Sequence, residues 1–292
     1  MLKIKSAIVV ILLFPLTGCN NKQENEKIIS VTIEPQRYFA ERIGGDRFTV
    51  HTVVPAGQSP ETYDPTPQQM IQVSKSLAYL RIGYIGFEQA WMQNIQENNP
   101  EMNVFDLSEG IDLILEVEEE ANGHHHHRHH PGGVDPHIWN SIHGAKMIAQ
   151  NTLNAFLALD KEHADDYRQN YDRLMEDINQ TGDELSEWLS PLSNRTFIIY
   201  HPALTYFAEE FNLTQLCIEM EGKEPSPAQL KELVETAREH QAKVVFIQQE
   251  FDQKNAELIA RETGCRLVTI NPLSYDWSKE MIHLAKSLAG SE

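Results

Sequence analysis

The sequence predicts an α/β protein: two similar lobes, each a mostly parallel sheet flanked by helices, joined by a long rigid α-helix, with a cleft between the lobes. Three observations carry this. Apolar runs of strand length alternate with amphipathic runs of helical period in both halves of the chain, the pattern of an open parallel sheet covered by helices. The alternation is interrupted once, by a stretch over residues 141–190 that reads as helical throughout. Side chains suited to holding a ligand fall where strands run out in both halves, which is where open α/β sheets bind.

Residues 1–18 stand apart from the fold. Lys3 and Lys5 precede the apolar run Ala7–Leu16, which has the length of a signal-peptide core and is too short to span a bilayer as a mature helix. The run ends in "LTGC", Leu16 to Cys19, which resembles the lipobox of bacterial lipoproteins, where the chain is cut before the cysteine and that cysteine is lipidated. Residues 19–27 then read as a polar tether behind Cys19. The expected location is outside the cytoplasm, lipid-anchored to a bacterial cell membrane on the periplasmic side or at the cell surface.

The N-terminal lobe spans 28–140. "IISVTI" (28–33) reads as a buried strand, "QRYFAERIG" (36–44) as a helix ending at glycine, and "RFTVHTVV" (47–54) as a second strand. "PTPQQMIQVSKS" (65–76) starts a helix after prolines, "LAYLRIG" is a strand, "FEQAWMQNIQEN" (87–98) a helix and "MNVFDLS" a strand. The linking segment, 141–190, places Ile142, Ala145, Ile148, Ala149, Leu153 and Phe156, then Tyr167, Tyr171, Leu174, Ile178, Leu185 and Trp188, at three- and four-residue spacing. A helix of about 25 to 30 residues reaches roughly 37 to 45 Å, enough to cross a domain edge. In the C-terminal lobe, 191–292, the alternation resumes: strands at "TFIIYHPA", "LTQLCIEM", "KVVFIQQE" and "CRLVTINP" are interleaved with helices at "LTYFAEEF", "SPAQLKELVETAREH", "QKNAELIARETG" and "SKEMIHLAKSLAG". No clear sequence repeat relates the two lobes.

Charge narrows the partners. The chain carries 43 Asp and Glu against 24 Lys and Arg, a formal charge of −19. Nucleic acid is excluded by the lack of clustered positive charge, and cations are the natural attraction for such a surface. Cys217 and Cys265 form no CxxC pair and fall in strands, so they read as free thiols, not as a zinc ribbon or redox motif.

Residues 116–136, "EVEEEANGHHHHRHHPGGVDP", break the periodicity and read as a surface loop longer than compact domains usually carry. Its His124, His125, His126, His127, His129 and His130 read as an accessory metal collector; inert low-complexity sequence is the alternative. Three further residues sit at strand ends. Glu61 lies in "PAGQSPETYDPTP", His137 in "DPHIW" and His201 in "IIYHPA". Imidazole and carboxylate are ordinary ligands for divalent metals. Taken singly, a solvated carboxylate and two hydrogen-bonded buried imidazoles would explain them as well.

The motifs together resemble the zinc- and manganese-binding proteins of bacterial ABC transporters. "SVTIEPQRYFAERIGGDRFTVHTVVPAGQSPETYDPTPQQ" is similar to that family's opening, "DPHIW" to its second motif and the acidic, His-rich loop to its zinc branch; "YHPALTYFAEEF", "EPSPAQLKELV" and "INPLSYDWSKEM" follow in the expected order. The resemblance implies a metal cleft between the lobes with ligands at Glu61, His137, His201 and a weak fourth at Asn271, where the family usually has Asp; Asp276 or water are the other fourth ligands weighed. It implies a monomeric binding protein, not an enzyme, that captures Zn(II) and delivers it to an ABC transporter permease. Mn(II) is the alternative cargo, because Glu61 adds oxygen to the donor set. A zinc hydrolase has no HExxH helix to support it, and nothing in the chain favours a surface adhesin.

Overall fold

The computed structural model describes residues 27–115, 133–219 and 224–291. The first lobe is built on a parallel sheet of β1 (Ile28–Val31), β2 (Thr49–Thr52), β3 (Ala78–Arg81) and β4 (Asn103–Asp106), ordered β2-β1-β3-β4. The second is built on β5 (Thr196–Ile199), β6 (Thr214–Cys217), β7 (Val244–Gln248) and β8 (Arg266–Ile270), ordered β6-β5-β7-β8. Within its lobe each sheet therefore runs second, first, third, fourth, so the lobes share one plan. Every residue of β7 is buried, as expected for a strand covered on both faces.

The helices are α1 (Glu34–Gly44), α2 (Pro67–Val73), α3 (Gly86–Asn98), α4 (Ile142–Leu159), α5 (Ala164–Leu189), α6 (Thr205–Glu210), α7 (Pro227–Glu239), α8 (Lys254–Thr263) and α9 (Trp277–Ala289). One echo of the shared plan is visible in sequence. The equivalent helices α2 and α7 open with the same device, Thr66-Pro67-Gln68-Gln69 and Ser226-Pro227-Ala228-Gln229. The hydroxyl of each first residue accepts the glutamine N–H, and the glutamine side chain returns to the backbone of the cap.

Two elements differ from the sequence reading. Helix α1 opens at Glu34, two residues early, because Pro35 suits a first turn and the Gln36 side chain accepts the N–H groups of Thr32 and Ile33. The stretch 141–190 is two helices separated by a 3-10 turn at Lys161–His163. Asp160 stops the first of them: its Oδ2 gathers Lys27 Nζ at 2.7 Å, His163 Nδ1 at 3.0 Å and the Tyr167 hydroxyl at 3.0 Å. This also ties Lys27, the last residue assigned to the tether, onto the body. Helix α5, with 26 residues, spans roughly 39 Å.

Helix α5 packs on α4 and α1 and, at its other end, on α9 of the second lobe. One apolar core runs from the first sheet through α4 and α5 to the inner face of the second sheet; a smaller core lies beneath α7 and α8. The lobes also meet through rings: Tyr38 and Phe39 of α1 contact Tyr275 and Trp277 at centroid separations of 5.9 and 5.6 Å. Such an interface resists wide opening. Cys217 and Cys265 are both buried and no disulfide joins them. Among the described residues no helix is long and apolar enough to cross a membrane. Cys19, the signal segment and His124, His125, His126, His127, His129 and His130 lie outside the described residues. The base of the His-rich loop is within them: Leu115 and Val134 form an antiparallel bridge, and Asp135 and Pro136 are buried.

Candidate metal centre

The segment Asp135–Asn140 is anchored chiefly to the second lobe. Tyr206 of α6 donates its hydroxyl to the Asp135 carbonyl at 2.9 Å, and Asn140 Nδ2 donates to the Ala203 carbonyl at 2.8 Å. Trp139, fully buried, donates its indole N–H to Pro272 O at 2.9 Å, while Trp277 donates to Trp139 O at 2.7 Å. Gly144 lets the Ile138 carbonyl press onto the first turn of α4; a Cβ there would lie 1.8 Å from that oxygen. His137 is thus set in a rigid frame. Asp135 Oδ1 accepts both its backbone N–H and its ring Nδ1–H, each at 2.9 Å. Burial pushes the Asp135 carboxyl up, but its electrostatic attraction to the His137 ring, the hydrogen bonds from His137 and one from Thr205 outweigh it and hold the group below its ordinary value.

His201 follows β5. Its backbone is gripped by Gln248 at the end of β7, which accepts the His201 N–H at 3.2 Å and donates to its carbonyl. Glu219, just past β6, takes the ring: Nδ1 lies 2.8 Å from Glu219 Oε2. Both imidazoles therefore direct Nδ1–H to a buried carboxylate, the tautomer that leaves the lone pair on Nε2. The two rings face each other edge to face, 5.2 Å between centroids, at 6% and 8% exposure.

Glu61 comes from the first lobe. Its loop is tied to the start of α3, where Phe87 N–H donates to Pro60 O at 2.9 Å and Gly86 N–H to Glu61 Oε2 at 3.0 Å. Only glycine permits this approach, since a Cβ on Gly86 would meet Glu61 O at 2.4 Å. The other carboxylate oxygen, Oε1, is buried with no hydrogen-bond partner. A buried carboxylate oxygen left so is costly unless a cation or donor completes it.

Glu61, His137 and His201 line one cavity of about 10 Å³, room for a single small ion or water. Glu250 lines it too, and sequence reasoning missed it. Burial pushes the Glu250 carboxyl up, against a backbone hydrogen bond and its electrostatic attraction to the His201 and His137 rings. Asn271 does not line the cavity; its neighbours Pro272 and Leu273 do, and its N–H is held by Glu280 Oε1 at 2.7 Å. Asp276 is exposed, paired with Lys279 at 2.8 Å, beside a different hollow next to Tyr38 and Arg42. Among the described residues no three His, Cys, Asp or Glu side chains are gathered at coordinating distance as they stand. The bond from Gly86 draws one Glu61 oxygen toward α3, so seating an ion calls for local side-chain adjustment.

Fold and site define a two-lobed binding protein with an ion-sized cleft. A family model described as "ZnuA: Zinc-uptake complex component A periplasmic" matches residues 29–290, and the chain belongs to that family, the metal-binding substrate-binding proteins of ABC transporters, which are not enzymes. A crystal structure of ZnuA superposes with a TM-score of 0.83 at 36% identity, covering 91% of this chain and 99% of that one. The zinc-binding lipoprotein AdcA of Streptococcus pneumoniae is 25% identical over 89% of this chain and 53% of its own length. The manganese ABC transporter substrate-binding lipoprotein PsaA of the same species is 24% identical over 88% of this chain and 85% of its own length.

Proposed function

We propose that this chain captures Zn(II) and passes it to an ABC permease for uptake, with Glu61, His137 and His201 as ligands. The observation that carries the reading is the cavity: two facing imidazoles, each with Nδ1 on a buried carboxylate, share an ion-sized space with an unpartnered buried carboxylate oxygen. Zinc takes imidazole nitrogen and carboxylate oxygen at about 2.0–2.2 Å, and the Nδ1 partners raise ligand basicity. Titration calorimetry on the purified protein tests it, with one tight Zn(II) expected; binding no tighter than micromolar would sink the reading. Asn271 is left out of the proposed set, since Pro272 and Leu273 line the cavity and Asn271 does not.

Mn(II) is the second reading. Glu61 supplies oxygen where a third imidazole would favour zinc, and both zinc- and manganese-named relatives resemble the chain. Competition between the two metals decides it. Lipidation of Cys19 is proposed as the anchor, tested by mass spectrometry of the exported protein. The loop histidines are proposed as collectors: deleting residues 118–131 is expected to lower the number of metals bound while leaving one tight site.

A further inference from the structure

We propose that Glu250 is the fourth ligand of this site, so that the donor set is two imidazoles and two carboxylates. The inference rests on the metal-binding reading above and adds a residue that the sequence motifs do not mark. Strand order supplies the first argument. In the order β6-β5-β7-β8, the chain moves from β5 to one side for β6 and to the other for β7, so the β5–β7 boundary is the point where the winding reverses. Ligands of doubly wound sheets bind in the crevice at the carboxyl ends of the strands at that boundary. His201 leaves the end of β5, and Glu250 stands two residues beyond the end of β7, on the other side of the crevice.

The first lobe shows why the crevice of the second is the one that serves the cleft. Its own reversal lies between β1 and β3, and that position is filled from within. Gln36 accepts Thr32 N–H and donates to Leu80 O, while the buried Glu88 takes the Thr32 hydroxyl and the N–H groups of Ile82 and Gly83. In the second lobe Gln248 braces the His201 backbone, and the turn after it, in which Phe251 N–H donates to the Gln248 carbonyl at 3.3 Å, carries Glu250 and Phe251. The Phe251 ring stacks on His201, 5.2 Å between centroids and 23° between planes, which holds the turn against the imidazole. Glu250 is half-buried and lines the same cavity as Glu61, His137 and His201.

Donor chemistry supplies the second argument. Glu250 brings a second carboxylate to the cavity lining beside Glu61 and the two imidazoles. A mixed nitrogen and oxygen set suits the borderline first-row dications, and the second carboxylate weights it toward those that take oxygen readily.

Metal affinity of Glu250→Gln and Asn271→Ala, each by competition with a chelating dye, tests the proposal, with Zn(II) and Mn(II) as the probes. Glu250→Gln is expected to weaken Mn(II) on the order of 100-fold and Zn(II) on the order of 10-fold, against the 10–100-fold typical of a supporting group. Asn271→Ala is expected to stay within about twofold of the parent for both. A zinc-bound crystal structure is expected to place a Glu250 oxygen about 2.0–2.2 Å from the ion. Glu250→Gln within about twofold for both metals, or a bound ion without Glu250, would overturn the proposal while a tight parent site left the metal-binding reading standing. A parent that binds neither metal would overturn both. An unchanged melting temperature of metal-free Glu250→Gln separates ligand loss from damage to the fold.

Discussion

Replacing Asp135 by Asn is expected to weaken the metal site without touching a ligand. Asp135 accepts two hydrogen bonds from His137, from the ring and from the backbone, each at 2.9 Å, and is almost wholly buried. Asn keeps the shape but removes the charge that fixes the ring tautomer and raises the basicity of the opposite nitrogen. Groups in this position are worth about 10–100-fold in metal affinity, or roughly 1.4–2.8 kcal/mol at 1.4 kcal/mol per decade. The figure agrees with about 1.5–3 kcal/mol for a hydrogen bond to a charged group. Glu219→Gln is the matched test on His201, whose ring lies 2.8 Å from Glu219. The assay is dye competition for Zn(II) at fixed pH, beside melting curves of the metal-free proteins. Either variant holding parental affinity within twofold, with an intact fold, would refute the claim that these carboxylates prepare the imidazoles for a metal.

Other perturbations follow from the same structure. Burial raises the Glu88 carboxyl from 4.5 to about 7 against its hydrogen bonds, so between those values the folded chain keeps a proton that the unfolded chain has released. Its contribution is therefore full below about pH 4.5 and lost as pH rises through about 7, a difference of roughly 3 kcal/mol at 1.36 kcal/mol per pH unit. Denaturant unfolding across that range is expected to show the decline in the parent and a flatter curve in Glu88→Gln. Gly86→Ala forces a methyl against the Glu61 backbone, expected to cost about 1–3 kcal/mol and to lower metal affinity by moving the loop, read by melting and by titration. Trp139→Ala empties a fully buried site between the lobes and removes its bond to Pro272, an expected loss of about 3–5 kcal/mol in chemical denaturation.

The fold was legible because its signals are local. Runs such as "VVFIQ" and "TFII" are short, apolar and rich in β-branched residues, as buried parallel strands are, and prolines and glycines punctuate the helices between them. The break at Asp160 was harder, because the apolar period continues on both sides of it. What stops α4 is one side chain collecting Lys27, His163 and Tyr167, and Lys27 is 133 residues away. The site divides in the same manner. Glu61, His137 and His201 sit in motifs, and the fold brings them to one cavity. Glu250 sits in "QQEFDQ", which carries no motif; its place beside His201 depends on β7 lying next to β5, and strand order is not written in local sequence. Asn271 was read from the family's turn, yet its neighbours line the cleft in its stead. His137 was grouped with the first lobe by chain position, but Tyr206, Ala203 and Pro272 fasten its segment to the second. The two imidazoles are thus fastened to the second lobe and Glu61 to the first, so a small displacement of the Glu61 loop is the expected route of metal release.

The central claim is that one ion sits between Glu61, His137 and His201. Anomalous diffraction at the zinc edge, from crystals grown with one equivalent of Zn(II), tests it most directly. A single strong peak is expected in the cavity, about 2.0–2.2 Å from a Glu61 oxygen and from Nε2 of both histidines. A peak elsewhere on the molecule, with this cavity holding none, would contradict it.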